Sequence, residues 1–232
     1  MKVGIMQPYF FPYIGYWQLI NSVDIFVVYD EIQYTKKGWI NRNKILVNES
    51  PKTITIPIKK DSDFLNVNER YISDSWLQSK HKMLNLIKSS YVKAPQFKQI
   101  MPFITECLSA EENNLFKFLH LNLIKVIDLL EIKTNIVISS TLNIDQSLKS
   151  QDKVTSICKT LNASTYINPK GGVNLYNKKF FKDNGINLKF ISSNEINYQQ
   201  YNNFFPWLSI IDVLMFNDLP TVKGYLCNFS SK

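Results

Sequence analysis

Two short apolar runs near the N-terminus, Val3 with Ile5 and Met6 and then IFVVY over residues 25–29, constrain this chain more than any other feature. The first is too short for a helix, and the second is rich in the β-branched and aromatic residues that fit a pleated sheet. Between them a proline-interrupted aromatic turn leads into a short helical stretch. Strand, helix and strand in that order predict a parallel βαβ unit. Ligands of open α/β sheets lie beyond the carboxyl ends of the strands. A candidate site therefore forms from Gln7, Pro8 and Tyr9 after the first strand and from Asp30, Glu31 and Gln33 after the second.

The rest of the chain keeps alternating. Strands are expected over 45–47 and 53–58 on either side of the turn-prone NESPK, followed by a helix over 74–91 with Asp74, beside Ser75, at its N-cap. Pro95 opens a helix to about residue 108, and a longer one follows over 110–130. Then come a strand at 135–139, a helix at 151–161, a strand at 165–167, a helix at 175–184 ended by Gly185, and a strand at 188–191. A last helix over 208–216 is apolar nearly all round and so belongs inside. This pattern predicts an α/β fold, a mainly parallel, Rossmann-like and nucleotidyltransferase-like sheet covered by helices. One domain over 1–232 is expected, with a helical insertion at 60–130.

At 232 residues, 45% apolar and 20% charged, the chain has the balance of a soluble globular protein. No apolar run approaches the roughly 20 residues that span a bilayer, and no signal-peptide pattern opens the chain, which predicts no membrane span and a cytoplasmic location. Cys107, Cys158 and Cys227 are odd in number and widely spaced, as buried thiols of a reducing compartment would be. The net charge of +8 comes from lysines spread over nearly every segment, with no nucleic-acid-binding motif. It fits attraction of phosphorylated or nucleotide-linked small molecules equally well.

Several clusters carry chemistry. In WINRNK, over residues 39–44, Trp39 offers a stacking ring, Arg42 a fork for phosphate or carboxylate, and Asn41 and Asn43 paired donors and acceptors. The alternative has Arg42 pairing with Asp30 or Glu31 while the asparagines satisfy a loop backbone. Lys36 is the nearby cation. His81, between Lys80 and Lys82, is the better placed of two histidines to act as acid or base, because neighbouring cations favour its neutral form; a solvated helix face is the other possibility. Tyr91 with Lys93 forms a smaller cluster, and Asn168 with Lys170, in NPKGG after an expected strand, could wrap a phosphate or sugar. Asp212, in so apolar a segment, needs a partner if buried. Nucleophile-elbow, metal-ligand, dinucleotide and cysteine–histidine patterns are absent, so no cofactor or metal is assigned.

PYIGY, over residues 12–16, stands where nucleotidyltransferases and pantothenate-synthetase-like ligases carry histidine-x-glycine-histidine. In those enzymes two imidazoles grip triphosphate oxygens at a helix start. Tyr13 and Tyr16 take the histidine places here. A phenol donates a hydrogen bond but, with a pKa of about 10, does not shuttle protons near neutrality. Adenylyl transfer loses its proton carrier, while a nucleotide or phosphate-bearing ligand remains compatible. The alternative is that Tyr9, Phe10, Phe11, Tyr13 and Trp17 are core aromatics.

Five blocks in order, QPYFFPYIGYWQLI, YDEIQYTKKGWINRNKIL, TIPI, SKHKMLNLI with SYVKAPQF, and FFPWLSIIDVLMFN, resemble the WbqC-like family of bacterial proteins across residues 3–217. The resemblance implies a setting in surface-polysaccharide (O-antigen) or specialised-metabolite assembly. With His81, Asp30 and Tyr13 as catalytic candidates and Gln7, Tyr16, Gln33, Lys36, Trp39, Asn41, Arg42, Asn43, Tyr91, Lys93, Asn168 and Lys170 as binding candidates, the expected function is group transfer. An acyl or aminoacyl group passing to a nucleotide-linked amino sugar is the first form of it. An ATP-dependent ligase or nucleotidyltransferase, and a non-catalytic binding protein, are the alternatives.

Overall fold

The computed structural model describes residues 1–231. Its centre is β1 (Lys2–Met6), which pairs in parallel with β2 (Ile25–Val28) on one side and β6 (Thr165–Pro169) on the other. β5 (Asn135–Ile138) continues the sheet beyond β2, while β7 (Asn187–Ser193) and the antiparallel β8 (Phe229–Ser231) continue it beyond β6. The order β5-β2-β1-β6-β7-β8 confirms the mainly parallel, Rossmann-like α/β sheet. Gln7 and Asp30 follow the carboxyl ends of adjacent strands, as expected.

Alternation along the strands feeds two cores, the signature of a sheet covered on both faces. Phe26 and Val28 enter the larger core, with α1 (Ile14–Asn21) and α7 (Ile210–Phe216). Val3, Ile5 and Val27 enter the other, with α5 (Ser150–Thr160) and α6 (Lys178–Asp183). Between β2 and β5 the chain inserts a two-stranded hairpin, β3 (Arg42–Val47) and β4 (Ser50–Thr55), and three helices, α2 (Trp76–Tyr91), α3 (Phe97–Leu108) and α4 (Leu115–Leu129). All three helices contribute to the larger core.

Local chemistry moves several boundaries. The hairpin turns at Asn48 and Glu49, both at positive φ, the geometry that matches strand twist. β3 starts at Arg42, because Asn43 and Ile45 both turn inward and Asn43 finds backbone partners there. α4 starts five residues later than expected because the Asn114 side chain caps it, accepting from the Lys117 amide. Asn177 does the same for α6, leaving residues 170–175 as a 3₁₀ turn. Asp74 pairs with Lys59 at 2.8 Å, and Ser75 holds the N-cap position of α2. A helix not expected from the pattern, α8 (Leu219–Tyr225), is capped by Asp218, with Pro220 in its first turn. The fully buried Gln18 ties α1 to it, donating to the carbonyls of Tyr225 and Asn228 at 2.8 and 3.0 Å.

Among the described residues no helix is long and apolar enough to cross a membrane. Cys107 and Cys158 are buried, and burial pushes both thiols up to about 12. Cys227, against expectation, is exposed, because it follows α8 at the surface. Titration with an aromatic disulfide is therefore expected to release one thiol equivalent from the native protein and three after denaturation.

Candidate functional site

The carboxyl ends of β1 and β6 meet where the strand order changes direction, the usual place for a ligand in an open α/β sheet. Two cavities lie there. One, of about 380 Å³, is walled by Tyr13, Trp39 and Trp207 and edged by Lys170, Ser192 and Ser193. The other, of about 370 Å³, contains Gln7, Tyr29, Asn168 and Tyr176 among apolar side chains. Tyr9, Pro169 and Gly171 border both.

The turn after β1 shapes the first cavity. Phe11 has φ of 40°, a conformation disfavoured for a bulky residue. It is held by two hydrogen bonds to its carbonyl, from Asn43 Nδ2 at 2.9 Å and Ser209 Oγ at 2.7 Å. Asn43 also donates to the Phe10 carbonyl at 3.1 Å. Asn43 thus lines the cavity and fixes the turn that carries Tyr9 and Tyr13. The opposite wall comes from Ile191, Ser192 and Ser193 at the end of β7 and from Trp207, near the end of residues 194–209, a long stretch without regular structure. Segments of that length are commonly functional. At its end Trp207 adopts φ of 62° and meets Tyr13 edge-on, with centroids 5.9 Å apart. Trp39 is braced from β3, where the cations of Arg42 and Lys44 sit 6.0 and 5.9 Å from its ring centroid.

The phenols are donors, not bases. Burial raises Tyr9 and Tyr13 above the ordinary tyrosine value and lifts Tyr29 to about 12, with the Glu31 carboxylate adding to the effect. Tyr176 is raised by the same cause. Neither cavity is lined by a histidine, cysteine or carboxylate, and among the described residues no cluster of such groups could hold a metal ion. The arrangement can stack a ring, attract an anion and polarise an oxygen.

The expected site residues divide into those the cavities gather and those they do not. Tyr13, Trp39, Asn43 and Lys170 line the first cavity, and Gln7 and Asn168 the second. Tyr16 is buried, its hydroxyl donating to the Gln7 carbonyl at 3.1 Å, and the Tyr13 ring lies over Gly15 so closely that a Cβ there would meet it at 2.4 Å. The room that a glycine leaves for a nucleotide in the histidine-x-glycine-histidine enzymes is filled here by Tyr13 itself.

Asp30 is 2% exposed and joins the ends of β2 and β5. Its carboxylate accepts from Ser139 Oγ at 2.6 Å, the Ser140 amide at 3.0 Å and Asn68 Nδ2 at 2.9 Å. Arg42 does not pair with Asp30; its guanidinium donates to the carbonyls of Gly38, at 2.8 Å, and Lys37, closing the preceding turn. Asn41 is buried between the Tyr34 hydroxyl and the Ile56 carbonyl. Gln33 and Lys36 reach the 60s loop, at the Asp63 carbonyl and carboxylate.

Tyr91 is buried in a network around Asp212, whose carboxylate accepts from Tyr91 at 2.8 Å, Tyr198 at 2.6 Å and Gln200 at 2.7 Å. His81 and Lys93 are exposed, on α2 and just beyond its end, and line neither cavity. Trp207, Ser192, Ser193 and Tyr176 were not singled out by sequence. For Trp207 a usable signal existed: a tryptophan after proline, between an irregular polar stretch and a buried helix, has no core position to fill.

The WbqC-like family model matches residues 7–223. The chain is also 26% identical over 230 residues, 97% of each sequence, to the uncharacterized protein Rv1507c of Mycobacterium tuberculosis (strain ATCC 25618 / H37Rv). No solved structure matches it. With a family model running from the turn after β1 into α8, the chain belongs to the WbqC-like protein family.

Proposed function

We propose that this protein is a group-transfer enzyme that holds a nucleotide-linked amino sugar in the first cavity and acylates its amine. The single observation carrying this is the pair of tryptophans, Trp39 at 42% and Trp207 at 54% exposure, that wall one cavity at the carboxyl edge of the sheet. Two half-exposed indoles walling one concave cavity offer faces on which a base or sugar ring can stack. Lys170, which lines the cavity, supplies positive charge for a diphosphate. In the transfer the amine nitrogen bonds to the carbonyl carbon of an activated acyl donor, a thioester or acyl phosphate. The bond from that carbon to the leaving group breaks, the leaving group departs with the electron pair as a thiolate or phosphate, and it takes up the proton that the nitrogen releases. The family resemblance supports a setting in surface-polysaccharide or specialised-metabolite assembly.

A second reading, a nucleotide-sugar-binding protein without catalysis, is favoured by the absence of any histidine, cysteine or carboxylate from the cavity linings. A thermal-shift screen with nucleotide sugars, followed by mass spectrometry of the sugar after incubation with acyl donors, separates the two. Stabilisation with an acylated product supports the enzyme, and stabilisation without product supports the binder. Silence with every nucleotide sugar removes both.

Gly171→Leu gives an independent check. Gly171 borders both cavities, and an added Cβ there meets no heavy atom within 4 Å. The leucine is expected to leave the melting temperature nearly unchanged and to weaken nucleotide-sugar binding about tenfold or more, measured by calorimetric titration.

A further inference from the structure

The second cavity has a polarity of its own. Its apolar part, from Ile5, Met6, Ile32 and Val154, suits a short hydrocarbon. Its polar part offers hydroxyl protons. Tyr29 makes no side-chain hydrogen bond to another described residue, and Tyr176 has only a long 3.5 Å contact with Tyr166. Tyr9 accepts from Gln7 Nε2 at 2.6 Å, which leaves its own proton to give. Behind Tyr29 sits a buried ammonium: Lys153 Nζ lies 5.6 Å from the ring centroid, donates to Gln146 at 2.8 Å and stands 3.5 Å from Glu31. No carboxylate lines the cavity to compete for these donors. A pocket with spare hydroxyl protons and apolar walls fits a small ligand whose polar end is an oxygen acceptor.

We propose that the second cavity binds the carbonyl end of a short acyl group, with its oxygen held by the hydroxyls of Tyr29 and Tyr176 and its chain against Ile5 and Val154. This rests on the assignment of the first cavity to the nucleotide-linked sugar, whose amine would reach the acyl carbon along the border at Gly171. Hydroxyls that stay protonated and are already placed around a carbonyl oxygen are positioned to stabilise the negative charge that collects there on attack.

The test titrates the full-length protein with two probes separately, S-acetyl-N-acetylcysteamine as a short acyl thioester and uridine diphosphate as a nucleotide, followed by NMR of fluorotyrosine-labelled protein. The thioester is expected to shift the resonances of Tyr29 and Tyr176. Tyr29→Phe and Tyr176→Phe should each weaken it about fivefold, the loss of one hydrogen bond, without lowering the melting temperature. Leu77→Ala, at an exposed position of α2 that lines neither cavity, should leave thioester binding unchanged. No thioester binding, or binding equally tight in both phenylalanine variants, overturns the proposal. Failure of uridine diphosphate and other nucleotides to bind, with thioester binding intact, overturns the sugar assignment instead and leaves the acyl pocket standing.

Discussion

Replacing Asp212 by alanine is expected to destabilise the protein by about 3–5 kcal/mol, enough to lower the melting temperature by roughly 10 °C in a chain of this size. Asp212 is fully buried and is the shared acceptor for Tyr91, Tyr198 and Gln200. Alanine strands the buried donors of Tyr91 and Gln200 and removes the acceptor of the half-buried Tyr198 hydroxyl. Tyr91 also accepts the Leu46 amide at 2.8 Å, so the damage reaches β3. Gln200 brackets Phe205, accepting from its amide at 2.7 Å and donating to its carbonyl at 3.2 Å, so the segment leading to Trp207 loses its anchor too. Thermal denaturation followed by circular dichroism measures the loss. A wild-type melting curve from this variant would show that the network contributes nothing.

The same residue carries a pH signature. Burial raises the Asp212 carboxyl above its ordinary value, against the opposing pull of its three donors. Between the unfolded pKa of about 3.9 and the raised folded one, the folded state holds more proton than the unfolded state. Stability from this group is therefore full below the unfolded pKa and declines as pH rises through the folded pKa. Asp212→Asn cannot titrate. The stability of the wild type relative to Asp212→Asn should decline over that window, as read from urea titrations at successive pH values. An increase would show that the donors outweigh burial.

Trp207→Gly is expected to separate folding from binding. A tryptophan in the left-handed region carries strain of roughly 1–2 kcal/mol, which glycine removes. Against this, glycine loses the edge contact with Tyr13, itself worth about 0.5–1.5 kcal/mol. Glycine also loses the buried half of the indole, roughly 1 kcal/mol, and about 0.5–1 kcal/mol of backbone order, so a net loss of about 1–2 kcal/mol and a fall of several degrees in melting temperature are expected. Ligand affinity of the folded variant should fall as well, because the stacking of a base on an aromatic ring contributes roughly 1–3 kcal/mol, about 5- to 150-fold in Kd. Nucleotide-sugar titration by tryptophan fluorescence measures it. An unchanged Kd would remove Trp207 from the site.

The sheet could be read from sequence because its signal is local. The runs that became β1, β2, β5, β6 and β7 are short, apolar and punctuated by helices, and each declares itself within ten residues. β8 could not be read, since FSS has no strand character and pairs only because β7 offers it an edge. The strand-end residues Gln7, Tyr9 and Asn168 followed from the sheet rule. Residues assigned from clustering alone divide: His81 stands on the wet face of α2 away from both cavities, Asn41, just before β3, is buried between the Tyr34 hydroxyl and the Ile56 carbonyl, and Asn43, an inward position of β3, lines the first cavity. Trp207 and Lys153 come from segments far from the N-terminal blocks, and only the tertiary fold brings them to the crevice.

The placement of β1 also sets an order of events during synthesis. Its partner on one side, β2, follows within two dozen residues, but β6, on the other side, emerges only after the hairpin and five further helices and strands have been made. At elongation rates of about 5–20 residues per second this leaves one edge of the central strand unpaired for on the order of ten seconds. Throughout that interval neither cavity exists, since both need Pro169 and Gly171. An arrested nascent chain ending before β6 would present a bare parallel edge, the kind of surface that chaperones cover and that aggregates when they do not.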